Sequence, residues 1–264
     1  MSLLEYLRAD PHCADLLTGA VLAVGPLLEE PDPVPVVALV DGWADALVGR
    51  MPLPWNLHGA LDALNSYLFQ EQGLQGDRTT YDDPANAVLP RVIARRKGIP
   101  IALAILWMEV ARRLGFHAVG VALPGHFVCG VQLDLGTLYF DPFNAGAALG
   151  EEGAARLVAL ATGGRMAFHP SQLRPVSHRA ILVRLVRNLH VRYMATAAWE
   201  EALWTATHLL LLAPVDSLAL RDRAWVHFQR GEFPEGKADL EAAQGLGREL
   251  DPELLLWLEN NRPG

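Results

Sequence analysis

Apolar residues recur at three-to-four spacing along most of the chain and alternate only in one central stretch. From Ser2 to about Leu28 the helical period runs through Leu3, Leu4, Leu7, Leu16, Leu17, Ala20, Val21 and Val24. Pro31, Pro33 and Pro35 interrupt it, because proline cannot continue a helix interior. Val36 to Leu47 and Leu57 to Gln70 are the next helical candidates, separated by Met51-Pro52-Leu53-Pro54. Polar Gly73 to Pro84 reads as a loop, and Asn86 to Arg96 as a short helix. Pro100 to Leu114 is a helix stopped by Gly115. Two alternating segments follow, His126 to Val131 and Thr137 to Asp141. Leu149 to Ala161 is helical, Gly163-Gly164 ends it, and proline-containing His169 to Ser177 reads as a linker. Everything from His178 onward is helical in pattern. The expected organisation is a helical region over 1–80, a mixed core over 81–177 and an all-α module over 178–264.

Composition narrows the function. The chain has 264 residues, half of them apolar, and a net charge of 22 minus 30, or −8, which gives no global support for nucleic-acid binding. Cys13 and Cys129 form no spacing motif, so neither a disulfide framework nor a zinc cage is expected. The longest uncharged run in the central helix, Gly98 to Met108, has 11 residues, against the roughly 20 that a membrane span needs. No basic n-region precedes an apolar core at the N-terminus, so a cytoplasmic protein with no membrane partner is expected. Nine histidines show no metal-ligand spacing, and no glycine-rich nucleotide loop is present. No metal and no cofactor is expected. The cluster Arg91, Arg95, Arg96 and Lys97 reads as a solvated face.

The central stretch carries the candidate chemistry. Pro100 suits the first turn of its helix, since its missing N–H would be unpaired there. The helix is apolar nearly all round, which predicts burial, with Glu109 at its rim or paired with Arg113. If the following hairpin pairs His126 with Asp141, then His126, Val128, Tyr139 and Asp141 share one face. Gln132 to Leu135 then forms a four-residue loop, and a one-residue slip would separate His126 from Asp141. Cys129 falls on the opposite face among apolar neighbours, where its thiol stays protonated and inert.

The run Asp83-Pro84-Ala85-Asn86, Gly98-Ile99-Pro100-Ile101, Glu109 to Gly115, Leu123 to Phe127 and Asp141-Pro142-Phe143-Asn144 resembles the bacterial SirB-type family. That resemblance covers roughly Tyr81 to Gly146. It implies an α+β papain/transglutaminase-like core with a small antiparallel sheet, followed by tetratricopeptide repeats. The tail agrees: Arg187 and Arg221, Tyr193 and His227, Trp199 and Phe233, and Ala202 and Gly236 are each 34 residues apart. The second repeat departs from the pattern at Gly236 and Arg248. Two repeats cannot bury a solenoid core alone, so they are expected to dock against the rest of the chain.

The superfamily implies a Cys–His–Asp triad. His126 matches its His, Asp141 its Asp, and the nucleophile position falls on Pro100, which has no group able to attack a carbonyl. The first expectation is therefore a non-catalytic protein-interaction or regulatory protein, with Asn86, Asn144 and Tyr139 lining a polar pocket beside the triad remnants. The alternative is a hydrolase or transferase of another class, in which His126, oriented by Asp141, is a general base. A third idea makes Cys129 the nucleophile. By the same resemblance Arg184, Arg187 and Arg221 line the inner groove of the repeats. There they either receive an acidic peptide or protein or pair with Glu200-Glu201 or Glu232.

Overall fold

The computed structural model describes residues 1–50 and 56–247. It forms two compact units, Met1–Leu185 and the residues from Val186 onward. The expected separator Met51 to Pro54 and the departure at Arg248 lie outside the described residues.

The first unit begins with α1 (Leu3–Ala9), α2 (Leu16–Ala23), α3 (Val34–Val48) and α4 (Leu57–Asn65). Side-chain caps start three of them. Ser2 and Glu5 form a capping box on α1, Asp15 caps α2 and Asn56 caps α4. The continuous apolar period expected from Ser2 to Leu28 is broken between α1 and α2. Cys13, expected within helix, sits there with φ +54°, so its apolar spacing reflects burial and not helicity.

Gln75–Gly76 (β1) pairs in parallel with Lys97–Gly98 (β2), so the expected loop contains a short strand. Between them lie a 3₁₀ turn at Pro84–Ala87 and α5 (Leu89–Arg95). The helix α6 (Pro100–Arg113) then runs buried from Pro100 to Ala111. It ends where Phe116 N–H bonds to Ala111 O at 3.0 Å, a turn that Gly115 permits at φ +88°.

The strands β3 (Ala118–Leu123), β4 (His126–Leu133), β5 (Gly136–Asp141) and β6 (Ala147–Leu149) form one antiparallel sheet in that order. One face packs on α6, where the Trp107 indole stacks on Phe140 at 5.3 Å. The other face buries Val121, Leu123 and Val128 against Ala154 and Val158 of α7 (Glu151–Thr162) and against Leu173.

The register differs from the expectation. Cys129 pairs with Phe140 and Leu133 with Gly136, so a two-residue Asp134-Leu135 turn replaces the four-residue loop. Gly136 takes φ +144° at the end of that turn. The shift is two residues, an even number, so His126 and Asp141 remain on one face. The segment 169–177 is also more than a linker. It holds a 3₁₀ turn at Pro170–Leu173, and Val176 N–H bonds to Gly120 O at 2.9 Å.

The helix α8 (His178–Ala195) contains the unit boundary. The second unit continues with α9 (Trp199–Leu212), α10 (Ser217–Gln229) and α11 (Phe233–Gly245), α10 packing against both of its neighbours. The departure at Gly236 has a steric cause. A Cβ there would lie 2.5 Å from the Phe228 ring and 3.0 Å from Ala224 O.

Candidate functional site

His126 opens β4 and Asp141 closes β5, which places both at one end of the sheet. His126 Nε2 lies 3.0 Å from Asp141 Oδ2, and both side chains are buried. Asp141 also caps the 3₁₀ turn Pro142–Asn144, accepting Phe143 N–H at 3.0 Å and the Asn144 amide at 2.6 Å. Burial pushes the Asp141 carboxyl up, but the hydrogen bonds from His126, Asn144 and Phe143 outweigh it and hold the group below its ordinary range. Among the described residues Asp141 is the hydrogen-bond partner of the imidazole, and no thiol or hydroxyl hydrogen-bonds to it. What faces the ring instead is Phe143, edge-on at 5.9 Å.

Pro100 is buried at the start of α6. The residue before it is tied down by Asn86, whose carbonyl accepts Ile99 N–H at 3.0 Å. The Asn86 amide donates to Thr80 O at 2.7 Å and to Asp77 Oδ2 at 3.3 Å. Its buried Oδ1 has no partner among the described residues, so the amide N–H groups are what the fold uses. Asp77 collects the Thr80 hydroxyl and the amides of Thr80 and Thr79 as well. Those bonds, led by the hydroxyl, hold its carboxyl down at about 2 despite burial.

This knot forms one wall of a cleft of about 550 Å³, lined by Gly76, Asp77, Arg78, Lys97, Phe143 and Asn144, among others. The Arg78 guanidinium lies 5.0 Å over the Phe143 ring and bonds to Asn144 Oδ1. Gly76 must be glycine, because a Cβ would meet the Phe143 ring and carbonyl oxygen at 2.6 Å. Asn144 thus joins the His126–Asp141 pair to the cleft, and Asn86 reaches the cleft through Asp77. Tyr139 does not reach it, since its hydroxyl donates to Leu173 O at 3.2 Å and its ring packs on the α7 face.

Cys129 is fully buried on the α6 side of β4, its Sγ 3.6 Å from Phe140 O. Burial first, and then the Asp141 charge, push its thiol well above the ordinary range. Glu109 pairs with both Arg112 and Arg113, at 3.0 and 2.9 Å. The basic cluster divides: Arg95 meets Asp83 at 2.8 Å, Arg91 bonds to Leu27 O, and Lys97 lines the cleft.

Arg187 bonds to Asp216, and Arg221 to Asp222, so their carboxylate partners are not the anticipated Glu200-Glu201 or Glu232. Glu232 instead meets His227 and Arg230. Arg184 belongs to the first unit, where burial lowers its pKa and Tyr81 is its electrostatic neighbour. Sequence reasoning missed Asn65, which accepts from Trp107 Nε1 at 2.8 Å and donates to Gly146 O at 3.1 Å. It thereby fastens the loop after Asp141 to α6.

A His–Asp pair at a sheet end, a buried helix ahead of it in the chain and a helical-repeat tail define a transglutaminase-like core followed by tetratricopeptide repeats. The transglutaminase-like superfamily profile matches residues 35–187, and a tetratricopeptide repeat profile matches 189–253. The chain belongs to the transglutaminase-like superfamily. A UPF0162 protein of Xylella fastidiosa (strain 9a5c) is 42% identical over 181 residues, covering 67% of this chain and 64% of the relative. A UPF0162 protein of Vibrio cholerae is 28% identical over 169 residues, covering 64% and 62%. F-box only protein 21 of Homo sapiens is 34% identical over 94 residues, 33% of this chain and 15% of that protein. The chain therefore spans less than two thirds of the length of the curated relatives it matches. No solved structure matches. The superfamily match begins at residue 35, so α4 and all of α3 but its first residue fall inside it.

Proposed function

We propose that this is a non-catalytic transglutaminase-like protein acting in the cytoplasm through protein–protein interaction, with the repeat-like helices as its partner-binding module. His126, Asp141, Asn86 and Asn144 then shape a polar site and perform no acyl transfer. The observation that carries the reading is the imidazole's surroundings. Asp141 occupies Nε2, the Phe143 ring lies edge-on to the imidazole, and among the described residues no thiol or hydroxyl hydrogen-bonds to it. Loss of a triad member typically costs several orders of magnitude in rate. Pro100 cannot be replaced from nearby: Cys129 is buried with its thiol protonated, and Ile99 and Ile101 have no reactive group.

The test is to incubate the purified full chain with thiol-directed acyl probes and with peptide amide substrates. The expected outcome is no covalent adduct and no turnover above buffer. Turnover that disappears in His126→Ala, with the fold intact, would overturn the reading. It would favour the alternative of His126 as a general base. One feature keeps that alternative specific: among the described residues nothing hydrogen-bonds to His126 Nδ1.

A further inference from the structure

We propose that the cleft beside Asn144 is a binding site for a dicarboxylate, held by Arg78 and Lys97. This names the ligand class of the polar site read above, and it rests on that reading only for the statement that the ligand is bound and not transformed.

The cleft's volume, about 550 Å³, lies within the usual range for small-ligand sites, roughly 300–1,000 Å³. Its charged lining is Asp77, Arg78 and Lys97. Asp77 keeps its charge but directs it elsewhere: its carboxylate forms its ion pair with Arg95, at 3.8 Å, and its oxygens accept from the knot. Oδ1 accepts the Thr79 and Thr80 amides, and Oδ2 accepts the Thr80 hydroxyl and the Asn86 amide. Among the described residues neither Arg78 nor Lys97 forms an ion pair, the nearby carboxylates Asp77 and Asp83 both pairing with Arg95. Arg78 instead rests on an aromatic face and on a neutral amide oxygen. On a chain of net charge −8, two cations against one carboxylate leave this concave site net positive, and it attracts anions.

The chemistry favours carboxylates. A guanidinium offers five N–H donors in a planar fork that matches both oxygens of a carboxylate, and Asn144 engages only Nη2. Lys97 adds a second, point-like charge, which a second carboxylate would meet. A ligand that draws Arg78 away from Asn144 frees the amide oxygen of the residue whose Nδ2 holds Asp141.

Paired carboxylates come either as a free small dicarboxylate or as neighbouring acidic side chains of a peptide. Calorimetric titration of the full chain with glutarate, and separately with an end-blocked Glu-Gly-Glu peptide, distinguishes the two. We expect saturable binding of at least one probe. Arg78→Gln and Lys97→Gln should each weaken it about tenfold. Arg91→Gln should leave it unchanged, since that guanidinium bonds to Leu27 O away from the cleft. Tighter binding of glutarate assigns a free dicarboxylate, and tighter binding of the peptide assigns an acidic segment. Failure of both probes to saturate, or binding that survives both substitutions in variants with unchanged melting, overturns the proposal. Turnover dependent on His126 alongside Arg78-dependent binding would remove the non-catalytic reading and leave the ligand class standing.

Discussion

Among the described residues, a buried histidine–aspartate pair stands in each unit, and at their shared bond the two are nearly alike. His126 Nε2 lies 3.0 Å from Asp141 Oδ2, and His190 Nε2 lies 3.2 Å from Asp222 Oδ2. Their surroundings differ. His190 Nδ1 is bonded to Thr205 Oγ1 at 2.9 Å, and Asp222 also meets Arg221 and Arg187. The bonds of His190 join α8 to α9 and α10, and the other Asp222 oxygen is taken by Arg221 on its own helix. At His126 one nitrogen is spent, and through Asn144 the pair adjoins a cleft. A His–Asp bond is therefore no sign of a site by itself. What separates a structural pair from a candidate site is how much hydrogen-bonding capacity the fold leaves over.

The contrast breaks most sharply under substitution. Asp222→Ala leaves the buried His190 and the partly exposed Arg221 without their carboxylate, Arg187 keeping Asp216, and the expected cost is about 3 kcal/mol. Equilibrium urea unfolding, followed by far-UV circular dichroism, measures it. His126→Ala should cost less, about 1 kcal/mol, because Asp141 keeps the Phe143 amide and the Asn144 donor. Equal costs for the two would erase the distinction drawn between the pairs.

The sequence made the first pair legible and the second invisible, for physical reasons. His126 and Asp141 stand at the ends of alternating strands, so parity alone puts them on one face, and the two-residue register shift left parity intact. The two-residue turn was not legible, because its geometry depends on Gly136 adopting a positive φ beside Asp134-Leu135. His190 meets partners 15 and 32 residues away on two other helices, a spacing that follows from helix packing and not from any local period. Asn65 was missed for the same reason, its partners lying 42 and 81 residues off. The buried helix α6 was legible almost residue by residue, because its apolar run, Pro100 and Gly115 all act locally.

Acid sharpens the comparison next. Asp77, Asp141 and Asp222 all have carboxyls held below their ordinary value in the folded state. Such groups stabilise the fold above the unfolded carboxylate value, 3.8, and lose that contribution as pH falls through the folded value. Thermal melting should therefore be insensitive to these three groups above pH 5 and fall steeply from about pH 4 toward pH 2, where Asp77 protonates. Asp77→Asn should flatten the lowest part of that fall. An unchanged profile in this variant would mean that the knot does not hold the Asp77 charge as described.

The smallest effect expected comes from a histidine in neither pair. His178, at the start of α8, has Nδ1 2.7 Å from Cys13 O. Burial, and then the charge of Arg112, lower its pKa below the ordinary 6.5, so the folded state resists its protonation. A depressed histidine contributes stability above its unfolded value and loses it as pH falls below about 6.5. The wild type should show a small drop in melting temperature between pH 7.5 and 5.5, which His178→Gln should remove. A glutamine amide can still donate to the Cys13 carbonyl, so the variant tests the charge and leaves the contact. If the drop persists in His178→Gln, the proton is being taken up elsewhere.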